Sequence, residues 1–261
     1  MIAPTQQFAS DGCLHFAGLF EADLIDAARV EFERQFPNVS TARPPEYLQV
    51  GHRRLQLPIE VRGSLAHPGL SAHPLLLAII HDLLGAEAAI DSITCVVALP
   101  GAKSQKLHRD HPRVGVSPPF AVTVAVPLID LTEATGSTLL FPGSHSGDDT
   151  PLTNAKERPA YTCRGDCYLM DYALWHRGMP NQSNQVRPVL YIVFTAPWFT
   201  DDLNFKDHAK IRIELETLME MPSGQRRLFR RTAVRGAHDL TEAKLLAGSG
   251  IANLNCRAQC W

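Results

Sequence analysis

The pattern of apolar and polar positions divides the chain into three stretches. In "FEADLIDAARVEFERQF", Leu24, Ala27, Ala28 and Phe32 recur at helical spacing, with acids early in the segment, which predicts a helix. "HPLLLAIIHDLLG" predicts a second helix, from about His73 to a stop at Gly85. Between them, "RPPEYLQVGHRRLQLPIEVRG" is interrupted by proline and reads as a loop plus a short strand. From Ile90 the period changes to that of β structure. "DSITCVVAL", "FAVTVAVPLID", "STLLFPGS", "CYLMDY" and "RPVLYIVFTAPWF" are short, rich in Val, Ile, Thr and aromatics, and bounded by Gly, Pro, Asp or Ser. Six to eight such strands, with turns between them, suggest a barrel or jelly roll. After Phe199 the pattern turns helical again in "DHAKIRIELETLMEM" and closes on a polar tail containing "GQRRLFRR". No internal repeat or low-complexity linker interrupts the chain. The expected architecture is mainly β with flanking helices, in a single domain over 1–261. Its parts are a helical layer at about 1–88, a barrel core at about 89–200 and a helical tail at about 201–261.

Composition narrows the function classes. The 261 residues are 45% hydrophobic and 20% charged, as in an ordinary soluble globular protein. A net charge of −2 gives no global field for nucleic acid or an anionic membrane, so neither is expected as a partner. "MIAPTQQFASDGCLHF" has neither a basic start nor an apolar run, so no signal peptide is expected. No stretch of about 18 apolar residues occurs, so no membrane span is expected. The six cysteines are Cys13, Cys95, Cys163, Cys167, Cys256 and Cys260. They are too sparse for a disulfide scaffold, and they lack the CxxC and histidine spacing of a structural zinc site. Reduced thiols in a cytoplasmic protein are the expectation.

The segment "QKLHRDHP" places His108, Asp110 and His111 within four positions. On a strand, residues i and i+2 share a face. If "QKLHRD" is a strand or strand edge, His108 and Asp110 project together into a barrel interior, while Arg109 and His111 point away. An imidazole and a carboxylate on one face are two of the three ligands of the facial triad that binds non-haem Fe(II) and leaves adjacent positions open. His176 qualifies as the third: it follows the strand "GDCYLMDYALW" and precedes a turn. An HxD alone is a weak signal in a chain with 11 histidines. Its context strengthens it. Arg187 lies eleven residues beyond His176, at the start of the apolar strand "PVLYIVF". A buried arginine needs an anionic partner, and a guanidinium grips a carboxylate in a bidentate fork. A dicarboxylate cosubstrate that chelates iron at one end would present its other end there.

The stretches "PGAKSQKLHRD", "GSTLLFPGSH", Gly165–Asp166 and "HRGMPNQSNQVRP" together resemble the phytanoyl-CoA dioxygenase family of Fe(II)/2-oxoglutarate oxygenases. The resemblance covers roughly Ile90 to Phe199 well and the N-terminal helices loosely. It implies a double-stranded β-helix core, a cupin-like jelly roll, with Fe(II) on His108, Asp110 and His176 and the far carboxylate of 2-oxoglutarate on Arg187. In the biosynthetic branches of the family, a Gln before the HxD and a Thr in the "GxT" strand also touch 2-oxoglutarate; these map onto Gln105 and Thr138. A further amide upstream often helps, and Gln56 is the nearest candidate. One departure stands out: where the founding enzyme has a hydroxyl residue two positions after the distal histidine, this chain has Gly178. Thr138 is therefore expected to partner Arg187. Halogenating relatives replace the carboxylate ligand with a small residue, so Asp110 argues against halogenation.

Several residues have plainer readings. His145 of "PGSH" is expected to cap a turn. Trp175 and Trp198 fit either a substrate pocket or barrel packing. "GQRRLFRR" fits a solvated helix face better than a phosphate grip. His52, Arg53 and Arg54 are placed at the active-site mouth, where they would favour an acidic substrate. The expected function is a dioxygenase that uses Fe(II), 2-oxoglutarate and O2. It would oxidise, by default hydroxylate, a C–H bond of a small biosynthetic intermediate, releasing succinate and CO2, as a monomer or homodimer. The alternatives are an acyl-CoA 2-hydroxylase of the same family, a cupin-like metal isomerase or hydrolase, and a catalytically silent binding barrel. Substrate contacts are expected from Pro44–Gly63, Pro112–Pro119 and the C-terminal helices.

Overall fold

The computed structural model describes residues 3–44, 46–112, 119–146, 156–204 and 210–232. Helix α1 (Pro4–Asp11) leads into strand β1 (Cys13–Phe16) and helix α2 (Ala22–Gln35). Strands β2 (Leu48–Gly51) and β3 (Arg54–Pro58) form a hairpin, followed by a 3-10 turn, the short α3 (Pro68–Ser71) and α4 (Pro74–Leu84). The barrel strands are β4 (Ala89–Ala98), β5 (Ala121–Pro127), β6 (Thr138–Leu140), β7 (Arg158–Pro159), β8 (Cys167–Asp171), β9 (His176–Gly178) and β10 (Arg187–Thr195). Two short helices, α5 (Leu215–Glu220) and α6 (Ser223–Leu228), close the described part.

The strands form a seven-stranded sheet in the order β1-β8-β5-β10-β4-β3-β2 and a three-stranded sheet in the order β7-β6-β9. Every paired neighbour is antiparallel. This is a jelly-roll architecture, and the Thr138–Tyr168 hydroxyl contact of 2.7 Å ties the small sheet to the large one across the interior. β10 sits at the centre, with β4 on one side and β5 on the other. Its outward residues Leu190, Ile192 and Phe194 join Ile93, Cys95, Val97, Val122, Val124 and Val126 in the main core. The helices cover that face. α2 contributes Ile25, Ala28 and Phe32, and α4 contributes Leu76, Ile79, Ile80, Leu83 and Leu84. Each such Ile, Leu or Phe side chain, fully buried, contributes about 1.5–3 kcal/mol. α4 begins at Pro74, whose missing N–H is no loss in a first turn, and ends at Gly85, whose N–H caps His81 O at 2.9 Å. Residues of the opposite parity face inward, which gives the interior a polar lining.

The structure departs from the sequence expectation in three places. The first third holds more β structure than expected: the segment read as a loop plus one short strand is the β2–β3 hairpin, and β1 is a further strand of the main sheet. Each is four or five residues long, too short to show a period against its proline and glycine surroundings. "QKLHRD" is not a regular strand; only His108 forms a bridge, to His176. Of the helix expected over 207–221, residues 207–209 lie outside the described residues. Lys210–Glu214 runs beside the sheet, with Val61 N–H donating to Arg212 O (2.7 Å) and Ile93 N–H to Lys210 O (3.0 Å). The helix begins only at Leu215. "GQRRLFRR" presents the solvated face expected of it, with Arg227, Arg230 and Arg231 exposed, while Leu228 and Phe229 are buried beneath and Arg231 donates to Phe199 O at 2.8 Å. Among the described residues no helix is long and apolar enough to cross a membrane.

Candidate metal centre

Backbone pairing assembles the site. His108 N–H donates to His176 O (3.0 Å), His176 N–H to His108 O (2.9 Å), and Gln105 N–H to Gly178 O (2.9 Å). The segment before Asp110 therefore lies antiparallel to β9, and the two imidazoles come together with ring centroids 4.5 Å apart. Asp110 Oδ1 lies 3.5 Å from His176 Nε2. The ligand atoms of His108, Asp110 and His176 all fall within 4.8 Å of one another, and among the described residues no other group of three potential ligands does so. Each imidazole places Nδ1 against a backbone carbonyl, His108 on Lys106 O (2.8 Å) and His176 on Leu174 O (2.9 Å). A carbonyl only accepts, so Nδ1 of each ring carries a hydrogen and Nε2 faces the centre, where in the neutral ring it presents a lone pair.

The Asp110 backbone is also held. Its carbonyl accepts from Asn204 Nδ2 at 2.8 Å, and Asn204 is fixed by Asp201 Oδ2 at 2.8 Å. The same buried Asp201 accepts from the Tyr172 hydroxyl at 2.5 Å. Burial works against the Asp110 carboxylate, but the charge and hydrogen bond of His176, then the charge of His108, outweigh it and hold its pKa below the usual range. Burial lowers His108, and the neighbouring His176 adds to that. His176 is raised: burial pushes it down, but the charge and hydrogen bond of Asp110 push it up further.

These groups open onto a cavity of about 580 Å³ whose wall includes His108, Asp110, His176, Arg187, Gln105, Thr138 and Gln56. All seven residues singled out in the sequence thus meet in one space. Arg187 is 3% exposed; Nη1 donates to Ser137 O at 3.3 Å and Nε has no partner. Its carbonyl acceptor is Ser137 rather than Thr138, whose hydroxyl is bonded to Tyr168 (2.7 Å) and Tyr191 (3.4 Å). Gln105 accepts from Gly178 N–H (2.9 Å) and donates to Val50 O (2.8 Å), bracing β9 against the β2–β3 hairpin. Gln56 Nε2 donates to Thr94 Oγ1 at 3.2 Å. His145 lies elsewhere, its Nε2 3.2 Å from Ala9 O, and Trp198 is 60% exposed; neither it nor Trp175 is part of the wall. Trp175 instead carries the Arg109 guanidinium over its ring at 4.8 Å.

One residue has a larger place than its sequence suggested. Arg54 is not at the mouth but fully buried in the cavity wall. It pairs with Ala98 from one side, and Arg187 pairs with Ala98 from the other, so the two arginines flank β4 in one cross-strand row. Arg54 Nη2 donates to Met179 O (2.6 Å) and Lys103 O (3.2 Å), while its Nε and Nη1 have no partner. Burial, then the Arg187 charge, push Arg54 down to about 9, so it stays charged at neutral pH. The same geometry explains Gly178. A Cβ there would meet Gln105 Oε1 at 2.5 Å and Arg54 Nη1 at 2.7 Å. The space that a side chain at this position would take holds the Arg54 guanidinium. The signal in sequence was the alternation Arg54, Gln56 on a strand; the run "HRR" obscured it. His52 and Arg53 sit on the exposed hairpin turn; His52 lines the cavity there, as expected at its mouth, whereas Arg53 has φ 53° and donates to Pro100 O at 2.6 Å.

The family profile described as Phytanoyl-CoA dioxygenase (PhyH) matches residues 8–189. The chain belongs to the phytanoyl-CoA dioxygenase family, a family of Fe(II)/2-oxoglutarate oxygenases. Among curated relatives of this family, Dioxygenase trt7 of Aspergillus terreus is 26% identical over 196 residues, covering 70% of this chain and 68% of its own. Dioxygenase af480 of Aspergillus fumigatus is 31% identical over 153 residues, covering 55% of this chain and 48% of its own. The chain thus spans about two thirds of the first of these two relatives and about half of the second. Solved structures share the fold. The non-heme alpha ketoglutarate dependent epimerase SnoN from nogalamycin biosynthesis aligns with TM-score 0.59 at 17% identity, over 74% of this chain and 79% of its own. HygX from Streptomyces hygroscopicus, solved with nickel and 2-oxoglutarate, aligns with TM-score 0.58 at 17% identity, over 79% and 94%.

Proposed function

We propose that the chain is an Fe(II)- and 2-oxoglutarate-dependent dioxygenase that hydroxylates a C–H bond of a small-molecule biosynthetic intermediate. The balance is substrate C–H, 2-oxoglutarate and O2 giving substrate C–OH, succinate and CO2. The observation that carries the reading is the pairing of a two-histidine, one-carboxylate cluster with two buried arginines that share a cavity with it. The residues fit both groups. Two imidazoles whose Nε2 atoms face the centre, neutral when they bind metal, and one carboxylate are the donor set of a facial Fe(II) site. A dianion that reaches from that site toward Arg187 and Arg54 supplies the countercharge their unpartnered guanidine nitrogens need.

Bound there, the iron supplies the activation of O2 that is coupled to decarboxylation of 2-oxoglutarate and oxidation of the substrate. The protein's part is placement. His108, Asp110 and His176 fix the metal, with their orientation set by the Lys106, Leu174 and Asn204 contacts. Arg187 and Arg54 hold the far carboxylate of 2-oxoglutarate, with the Thr138, Tyr168 and Tyr191 hydroxyls beside Arg187 and Gln105 and Gln56 in the same wall. The apolar shell behind the strands keeps bulk water from the centre. The chain works as one catalytic unit, because strands from its first sixty residues share a sheet with β10.

An anaerobic titration with Fe(II) and then 2-oxoglutarate tests this. A weak visible charge-transfer band is expected in the wild type, absent in His108→Ala and weakened in Arg187→Ala. Metal binding without a band would leave the triad and remove the cosubstrate, favouring a cupin-like isomerase or hydrolase. Failure to bind metal would end the enzyme reading.

A further inference from the structure

The cavity has two chemically different ends, and β10 measures the distance between them. Arg187 and Val193 both line it, six residues apart on one strand, which is roughly 20 Å. An arginine side chain and an extended five-carbon diacid together reach roughly 13 Å from bond lengths of about 1.5 Å. A dicarboxylate anchored on Arg187 therefore does not fill the Val193 end.

That end has an unusual wall. Val193 is flanked by Ser92 on β4 and by Thr123 on β5. Ser92 is 1% and Thr123 0% exposed, both line the cavity, and neither hydroxyl has a hydrogen-bond partner in the protein. A buried hydroxyl left unpaired costs about 1–3 kcal/mol. The next inward position on β4, Thr94, has its hydroxyl engaged by Gln56 (3.2 Å), and beyond it Val96 on β4 and Ala125 on β5 are apolar, so Ser92 and Thr123 stand out as the inward hydroxyls left unpaired on these two strands. Asn204 completes the wall. Its amide nitrogen already donates to Asp110 O and Asp201 Oδ2, which uses both hydrogens and leaves its carbonyl oxygen uncommitted. Tyr172 has its hydroxyl engaged by Asp201. None of the strand residues lining this end is charged: both buried arginines lie at the other end, Asp110 belongs to the metal set, and Lys106 and Arg109 flank the ligand His108, with Arg109 donating to Ser144 O at 3.0 Å and lying over the Trp175 ring.

We propose that Ser92, Thr123 and Asn204 form the substrate subsite, and that it takes an uncharged, ring-sized molecule carrying hydroxyl or carbonyl oxygens on at least two edges. The proposal rests on the oxygenase reading above and names the substrate class of the same site. Two oxygens are needed because Ser92 and Thr123 stand two strand spacings apart, about 10 Å between Cα atoms, so one small group does not bridge them. The substrate is uncharged because an acid or amine placed there would be desolvated without a counter-ion.

The test uses the full chain loaded with Ni(II), which prevents turnover, and with 2-oxoglutarate. Binding is read by calorimetry and by melting temperature for ring-sized probes: methyl glucoside and cyclohexanediol against cyclohexanecarboxylate, cyclohexylamine and methylcyclohexane. The neutral oxygenated probes are expected to bind in preference. Ser92→Ala and Thr123→Val should each weaken them about 3–10-fold while leaving 2-oxoglutarate affinity unchanged. A preference for the acid, the amine or the hydrocarbon overturns the proposal, as does glucoside and diol binding that both variants retain. Absence of any probe response, with 2-oxoglutarate still bound, overturns the subsite alone. Absence of 2-oxoglutarate binding in the wild type overturns the function reading and the subsite with it. The probe ranking in the wild type decides even if a variant fails to fold.

Discussion

Replacing Arg54 by methionine separates the two jobs of a buried cation. The substitution keeps most of the apolar stem and removes the guanidinium. In the ligand-free protein this loses the bonds to Met179 O and Lys103 O, at 2.6 and 3.2 Å. Hydrogen bonds to a charged group are worth about 1.5–3 kcal/mol each. It also removes a fully buried charge that faces Arg187 and has no carboxylate partner, and an unpaired buried ion costs several kcal/mol. The two effects oppose, so ligand-free stability should change by no more than about 2 kcal/mol. Cosubstrate binding has no such compensation. Truncating one partner of a buried, hydrogen-bonded charge pair costs about 2–5 kcal/mol. At about 1.4 kcal/mol per decade that is a loss of roughly 30-fold to a few thousand-fold in 2-oxoglutarate affinity. Differential scanning calorimetry with and without 2-oxoglutarate reads both quantities. In the wild type, ligand at 100 times its dissociation constant adds about 2.7 kcal/mol, roughly 5–10 °C for a chain of this size. Arg54→Met should lose most of that increment, measured from its own ligand-free melting temperature, while keeping its Fe(II) affinity. An unchanged increment would show that Arg54 only braces Met179 and Lys103.

Three further outcomes follow from the same geometry. Gly178→Ala must displace Gln105 Oε1 and Arg54 Nη1, so it should cost about 1–3 kcal/mol and weaken 2-oxoglutarate; a variant as stable as the wild type would contradict the close approach. Asp166 accepts from Gly18 N (2.8 Å) and Cys163 N (2.8 Å) and contacts His15 (3.2 Å), so Asp166→Ala should lose about 2–4 kcal/mol in chemical denaturation yet keep the metal. Protons should compete with metal at His176. Its raised pKa, which burial opposes and Asp110 imposes, means that the metal-free protonated pair stabilises the fold fully below the unfolded value of about 6.5 and fades as pH rises through the folded value. Metal needs the neutral ring, so Fe(II) affinity should fall as pH drops through that raised value. A flat profile in a pH-resolved Fe(II) titration would refute the coupling.

The sequence alone determined the parts of this protein whose signal is local. α2 and α4 showed their helical period because each buries one stripe against the sheet. β4, β5, β8 and β10 showed themselves as runs of β-branched and aromatic residues because they lie inside the sheet, covered on the core side. His108, Asp110, His176 and Arg187 were legible because metal and carboxylate binding demand particular residue types, and few others serve. Tertiary structure decided what local pattern does not encode. One short strand was legible between the helices, but β1 and the pairing of β2 and β3 into the main sheet come from long-range partners that complete their hydrogen bonds. His108 and Asp110 share a face because β9 supplies a single bridge to a segment that is otherwise irregular. Arg54 moved from an apparent surface run to the floor of the cavity because its pairing with Ala98 sets which way it points, and register is a property of two strands rather than one. The unpartnered hydroxyls of Ser92 and Thr123 have the same origin: whether a hydroxyl is satisfied depends on what the fold brings to it.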